Sequence, residues 1–275
     1  MQSNPLTAIR YGMRTQHLPL VFPLAFPLAL AFSSIAQTVQ AQPSAAVTGI
    51  ARVDTLLAMN QLPAAITAVD QALAAAPRQF DVLWRASRVR ALQGDLAPAK
   101  SKAQARAYKD ALELAERAIK ANGAAPDGYL RRAAAAGKVA LFSGTLEAAD
   151  QVVQAKEDAE RVIAMRNAPP ALQASAQYIL GRTHLKLTET PRPLRMPLGL
   201  GFGNLADALV HLRRATELRP GFIMFQLDYA RALIEDDRSK EARALLQGIA
   251  ALSEQEIGDD ARKRDAAALL ATLRP

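Results

Sequence analysis

The sequence contains no cysteine, which excludes disulfides, thiolate nucleophiles and cysteine-ligated zinc together. Its three histidines are His17, His184 and His211; none has a second ligand residue at metal-binding spacing, so no metal centre is expected. Aromatic residues make up only 5% of the chain, too few for a core of strands rich in aromatic and β-branched side chains. Charge of one sign is nowhere concentrated. The 34 Lys and Arg against 26 Asp and Glu leave a formal +8 spread along the chain, without the basic run that a nucleic-acid tail would show. No nucleophile elbow is present. The glycine-rich run Gly199-Leu200-Gly201-Phe202-Gly203 follows no strand, as a phosphate cradle would. The acidic pairs Asp236-Asp237 and Asp259-Asp260 sit at turns or helix starts, where capping explains them. The expectation is a protein that catalyses nothing and needs no cofactor.

What remains is 275 residues with 50% apolar content, much of it Ala and Leu, which is ample for a core of closely packed helices. Arg10, Arg14 and His17 precede an uncharged 15-residue stretch, Leu18–Phe32, the order of a secretory signal. As a helix it would reach about 22 Å, short of a hydrocarbon core of about 30 Å, and Pro19, Pro23 and Pro27 weaken it further as a permanent span. Cleavage is expected after Ala41, with Ala36 as the alternative. This divides the chain into a signal, 1–41, and an exported, periplasmic body, 42–275, with no stable membrane span after cleavage. An uncleaved anchor is the competing reading.

From Ala45 onward an apolar-periodic helix, a short turn, a second helix and often a proline recur, the signature of a solenoid. The clearest second helix lies between Gly203 and Pro220, with Leu205, Ala208, Leu209, Leu212 and Ala215 on one face. Asn60–Pro77 repeats it, with Leu62, Ala65, Val69 and Ala72 in matching places. First helices are read at Val82–Leu96, Ala133–Leu146, Tyr178–Leu187 and Leu227–Asp237. Each carries a small residue, Ser87, Gly137, Gly181 or Ala230, where a hairpin's helices must approach within about 8–10 Å. The fold class is therefore all-α, an α-solenoid of five tetratricopeptide-type hairpins at 46–77, 79–122, 125–168, 170–220 and 221–253, closed by a capping helix at 256–273. That cap is expected to turn Ile257, Leu269, Leu270 and Leu273 inward. The second helices of repeats two and three are read as lengthened. The three prolines and two glycines of Thr188–Phe202 are expected to forbid a helix there.

The segments SGTLEAADQVVQAKEDAERVIAM, AQYILGRTHLKL, GFGNLADALVHLRRATELRPG and LDYARALIEDDRSKEARALL carry a resemblance to the regulator of microtubule dynamics family over roughly Asp81–Gln247. The resemblance implies a helical domain of the tetratricopeptide type and a binding role. Eukaryotic members are associated with microtubules and mitochondria.

One pattern bears on binding. The residue after each small crossing position is basic in four successive first helices: Arg88, Lys138, Arg182 and Arg231. Neighbours stacked about 10 Å apart would repel by only about 0.4 kcal/mol in water. Trp84, Phe142 and Tyr178 are expected near the same face. The functional reading is a concave groove for a protein, or for an acidic or carboxylate-bearing peptide. The competing reading is solvated charge with internal pairs to Asp81, Asp228 or Glu235. The expected role is an envelope adaptor or scaffold. The alternative is a structural subunit binding through its convex faces, and a small-molecule binder or enzyme would require a closed pocket.

Overall fold

The computed structural model describes residues 45–273, with side chains from Gly49 onward. They lie in one compact unit, Gln42–Pro275; the export segment and both cleavage points fall outside the described residues. The first hairpin pairs α1 (Ala45–Ala58) with α2 (Leu62–Ala75), and the second pairs α3 (Phe80–Leu96) with α4 (Lys102–Ala121). The third pairs α5 (Pro126–Val139) with α6 (Thr145–Ala164). In the fourth, α7 (Pro170–Thr188) is joined through the single turn α8 (Arg192–Arg195) to α9 (Leu205–Leu218). The fifth pairs α10 (Ile223–Glu235) with α11 (Ser239–Ile249), and α12 (Asp259–Thr272) ends the described chain. All five expected hairpins are present, α4 and α6 are the long second helices at 20 residues each, and no strand occurs among the described residues.

Local chemistry sets the boundaries. Pro63, Pro126 and Pro170 stand in the first turns of α2, α5 and α7, where a missing N–H costs nothing. Ser101 caps α4 by accepting from the Gln104 amide, and Asn204 caps α9 by accepting from that of Asp207, each worth about 1 kcal/mol. Successive first helices α1, α3, α5, α7 and α10 also pack on one another, and α12 packs on α10, so these helices form one continuous layer. The second helices lie outside it, each wedged between the first helix before it and the one after.

The hairpins close on small residues. Ser87 is buried and donates to the Ala111 carbonyl at 2.7 Å. A Cβ on Gly181 would sit 2.6 Å from Leu212 Cγ and 3.0 Å from its backbone nitrogen. Ala230 is fully buried. Gly137 departs from the expected register: it is exposed, and a Cβ there would meet nothing within 4 Å. The fully buried small residue at the matching place is Ala133, one turn earlier. α5 ends at Val139, so Leu146 belongs to α6 and not to the first helix.

The insertion corrects a second expectation. Arg192–Arg195 and Met196–Leu198 each make a helical turn, because Pro193 and Pro197 fall at first-turn positions that need no N–H. The buried Arg195 guanidinium organises the loop by donating to the carbonyls of Thr190, Leu200 and Gly203. The third correction concerns Ile257. It precedes α12, and Gly258, at φ 89°, turns the chain so that Ile257 packs on the N-terminal core beside α1–α4. Leu269, Leu270 and Leu273 pack on the core of α10 and α11, as expected of a cap.

Candidate binding face on the first helices

With Ala133 in register, Arg88, Arg182 and Arg231 follow the buried small residues of α3, α7 and α10, while α5 offers Ala134 and places Lys138 one turn further on. All four cations of the ladder have acidic partners within the chain. Lys138 pairs with Asp95 and lies over the Tyr108 ring. Arg182 Nη1 and Arg231 Nη1 reach the same oxygen of Asp228, at 3.1 and 2.8 Å, and Arg231 Nη2 lies 3.5 Å from Asp265. Arg88 Nη2 meets Glu256 at 3.2 Å.

The aromatic residues disperse. Tyr178 stacks on Phe225, with centroids 4.8 Å apart, and donates to the other Asp228 oxygen at 2.6 Å. Burial and the Asp228 charge push its hydroxyl pKa well above the ordinary value. Phe142 leaves the group: it lies in a one-turn 3-10 helix beyond α5 and packs on Tyr108 at 5.9 Å, because α5 stops short of it. Trp84 stays with the N-terminal cations. Its Nε1 donates to Asp81, with Arg85 4.0 Å and Arg131 5.9 Å from its ring.

Two basic clusters result. The C-terminal one is built on Asp228, a buried carboxylate held by two guanidiniums and a phenol. Beside it Arg182, Leu185, Lys186, Glu189 and Arg231 line an open cleft of about 220 Å³. The side chains of Arg182 and Arg231 remain 45% and 39% exposed, so donors are left over for another acid. The N-terminal cluster comprises Arg88, Arg131 and Arg219, the last two absent from the sequence reading. A signal for Arg131 exists: Asp127 and Arg131 repeat the four-residue spacing of the Asp81–Arg85 ion pair one hairpin on. Nothing in the sequence signals Arg219, which follows α9 and joins the cluster only through the fold.

The sequence reading also kept the two body histidines apart, and the fold brings them together. Their rings lie 5.6 Å apart between α7 and α9, with Phe202 5.5 Å from that of His184. His184 Nδ1 is buried without a hydrogen-bond partner, 3.8 Å from Asp207. Burial lowers the pKa of both rings, against an opposing pull from Asp207. Among the described residues no group of three or more ligand side chains could hold a metal ion, and no helix is long and apolar enough to cross a membrane.

Large apolar side chains are exposed chiefly along one edge. Met59, Leu96, Leu141, Leu146, Leu194 and Met196 all lie at or beside turns that join the two helices of a hairpin.

A thermophilic tetratricopeptide-repeat protein of Thermus thermophilus has a similar structure, with a TM-score of 0.61 at 15% identity over 81% of this chain and 99% of its own. PilF of Pseudomonas aeruginosa matches with a TM-score of 0.47 at 15% identity, over 82% of this chain and 88% of its own. MamA of Desulfovibrio magneticus matches with 0.46 at 17%, over 76% and 94%. No curated protein matches the sequence. The Thermus match shows the solenoid to be of the tetratricopeptide type, and the family model for regulator of microtubule dynamics protein 1-3 matches residues 50–274. The chain belongs to that family.

Proposed function

We propose that this protein is a non-enzymatic scaffold that binds a protein or acidic peptide along the first-helix layer, with the cleft at Arg182 and Arg231 as its principal contact. The observation that carries the reading is the convergence of these two half-exposed guanidiniums on one cleft while the buried Asp228, with Asp265 3.5 Å from Arg231, occupies only part of their donor capacity. A partner carboxylate there would form charge-assisted hydrogen bonds, about twice as strong as neutral ones. Lys186 at the rim is paired with Glu189, and the attraction exerted by the two guanidiniums is one that salt would screen.

The proposal extends to location. The basic residues ahead of Leu18–Phe32 and the small residues after it support export to the periplasm with cleavage after Ala41. Amino-terminal sequencing of the fractionated protein is expected to begin at Gln42, and an intact Leu18–Phe32 segment in membrane fractions would overturn cleavage.

The binding test is capture of partners from envelope extract by wild type and by Arg182→Gln/Lys186→Glu. This pair leaves Arg231 and Tyr178 on Asp228, so the fold is retained. Captured protein should fall several-fold, and wild-type capture should weaken as salt rises. Unchanged capture by the folded variant would refute the cleft and make the exposed apolar turn edge the leading surface.

A further inference from the structure

The segment between α11 and α12 leaves the C-terminal hairpin and lies against the first two. Ile257 enters the N-terminal core. Gln255 ties the segment to Gly221 and Arg219. Asp259, itself buried, accepts from the amides of Gln255 and Glu256 and pairs with Arg262. The segment is thereby shaped so that one acidic side chain, Glu256, stands before Arg88, 168 positions away in sequence.

The cations around it are matched one for one by acids. Arg85 is satisfied by Asp54 and Asp81. Together with Arg85, the guanidiniums of Arg88, Arg131 and Arg219 face four carboxylates, Asp54, Asp81, Asp127 and Glu256, so loss of Glu256 alone would leave a net positive charge. Arg131 Nε is buried with no hydrogen-bond partner. Burial first, and the neighbouring Arg88 charge second, push the Arg131 pKa down to about 10, with Glu256, Asp127 and Asp54 opposing. Beside Glu256 is a cleft of about 110 Å³ lined by Arg88 and Asp54, with Leu57, Ala58, Leu92 and Ile257 as its apolar wall and Asp54 held by Arg85. The Arg88 and Glu256 side chains keep 29% and 20% exposure, so solvent reaches their pair.

We propose that Arg88, Arg131 and Arg219 form a second carboxylate-binding site, specific for an acidic residue followed by an aliphatic one, and that the chain's own Glu256-Ile257 occupies it as an internal ligand. The inference rests on the reading of the first-helix layer as an acidic-peptide surface and adds a site of its own. A partner carrying the same dipeptide chemistry would compete with Glu256 for Arg88, whose pair solvent reaches. A carboxylate would be preferred over a neutral amide, because only a charged acceptor replaces the charge that Glu256 supplies.

The test uses the full chain and a fluorescent peptide of its own sequence 253–260, SEQEIGDD, read by anisotropy. Removal of the internal acid in Glu256→Ala should tighten peptide binding by about tenfold or more over wild type, equivalent to one decade in Kd. Adding Arg88→Ala should abolish the gain, and a peptide with Gln for its second Glu and Ala for its Ile should not show it. The Arg182→Gln/Lys186→Glu background should leave the gain intact. Equal affinities of wild type and Glu256→Ala, or a gain that survives Arg88→Ala, would overturn this site. If the gain is absent while Arg182→Gln/Lys186→Glu still lowers partner capture, the internal ligand fails and the cleft reading stands. Melting curves of each variant confirm that the fold is intact.

Discussion

The two ends of the first-helix layer solve the same electrostatic problem differently. At the C-terminal end Asp228 comes from α10 itself, is 4% exposed, and anchors guanidiniums from α7 and α10. At the N-terminal end no equivalent acid stands before Arg88, and Glu256 is brought from beyond the last hairpin. The first arrangement is formed by neighbouring repeats and stabilises their interface. The second requires both ends of the solenoid to be in place and links repeats that nearest-neighbour stacking would leave independent. A built-in acid is a structural component, whereas a delivered acid can be exchanged.

The largest effect expected from this difference appears when each acid loses its partner. Arg182→Ala/Arg231→Ala strands the buried Asp228 carboxylate with only Tyr178, and should cost about 3–5 kcal/mol in chemical denaturation at neutral pH. Restoring neutrality with Asp228→Asn should recover part of it. Glu256→Gln at the other end breaks a solvent-reached pair and should cost less than about 1 kcal/mol. Equal costs at the two ends would show that both acids are structural and would break the comparison.

A smaller effect tests the register on which the comparison depends. Arg182 follows Gly181, where an added Cβ would sit 2.6 Å from Leu212 Cγ. Gly181→Leu should overpack that crossing and destabilise by about 1–3 kcal/mol. Gly137→Ala in α5, where a Cβ meets open space, should instead stabilise by up to about 1 kcal/mol through helix propensity. Denaturation midpoints of the two variants should therefore move in opposite directions, and matching shifts would show that α5 and α7 share the register expected from sequence alone.

The pattern of success in reading the sequence follows the range of the interactions. Hairpin boundaries were legible because prolines, glycines and caps such as Ser101 and Asn204 act within a turn of where they stand. The run Ala133–Ala136 before Gly137 offered several small residues of equal fit, so only packing against α6 could choose Ala133. Asp228 was legible as a partner for the ladder because it lies three residues from Arg231. Glu256 was not, because no local rule relates positions 168 apart. The turn at Gly258 that delivers it depends on a positive φ that a glycine permits and does not require.

The smallest effect separates the two ends by pH. Both histidines of the described chain lie between α7 and α9, in the C-terminal half; α1–α6 contain none. Burial holds the pKa of His184 and His211 below the ordinary value, while the unfolded chain protonates near about 6.5. Below that pH the unfolded state binds protons that the folded state resists, so stability is complete above about 6.5 and declines as pH falls toward the folded values. Around His184 the acids Asp207 and Glu160 favour protonation, while Lys156, the other histidine and burial oppose it, burial most strongly. Hydrogen exchange at pH 7 and pH 5.5, corrected for intrinsic rates, should therefore show α7 and α9 losing protection before α1–α4. His184→Leu should reduce that loss, since Nδ1 has no hydrogen bond to forfeit. Uniform loss along the chain, or an unchanged profile in His184→Leu, would place acid sensitivity in the inner carboxylates instead and remove this distinction between the two ends.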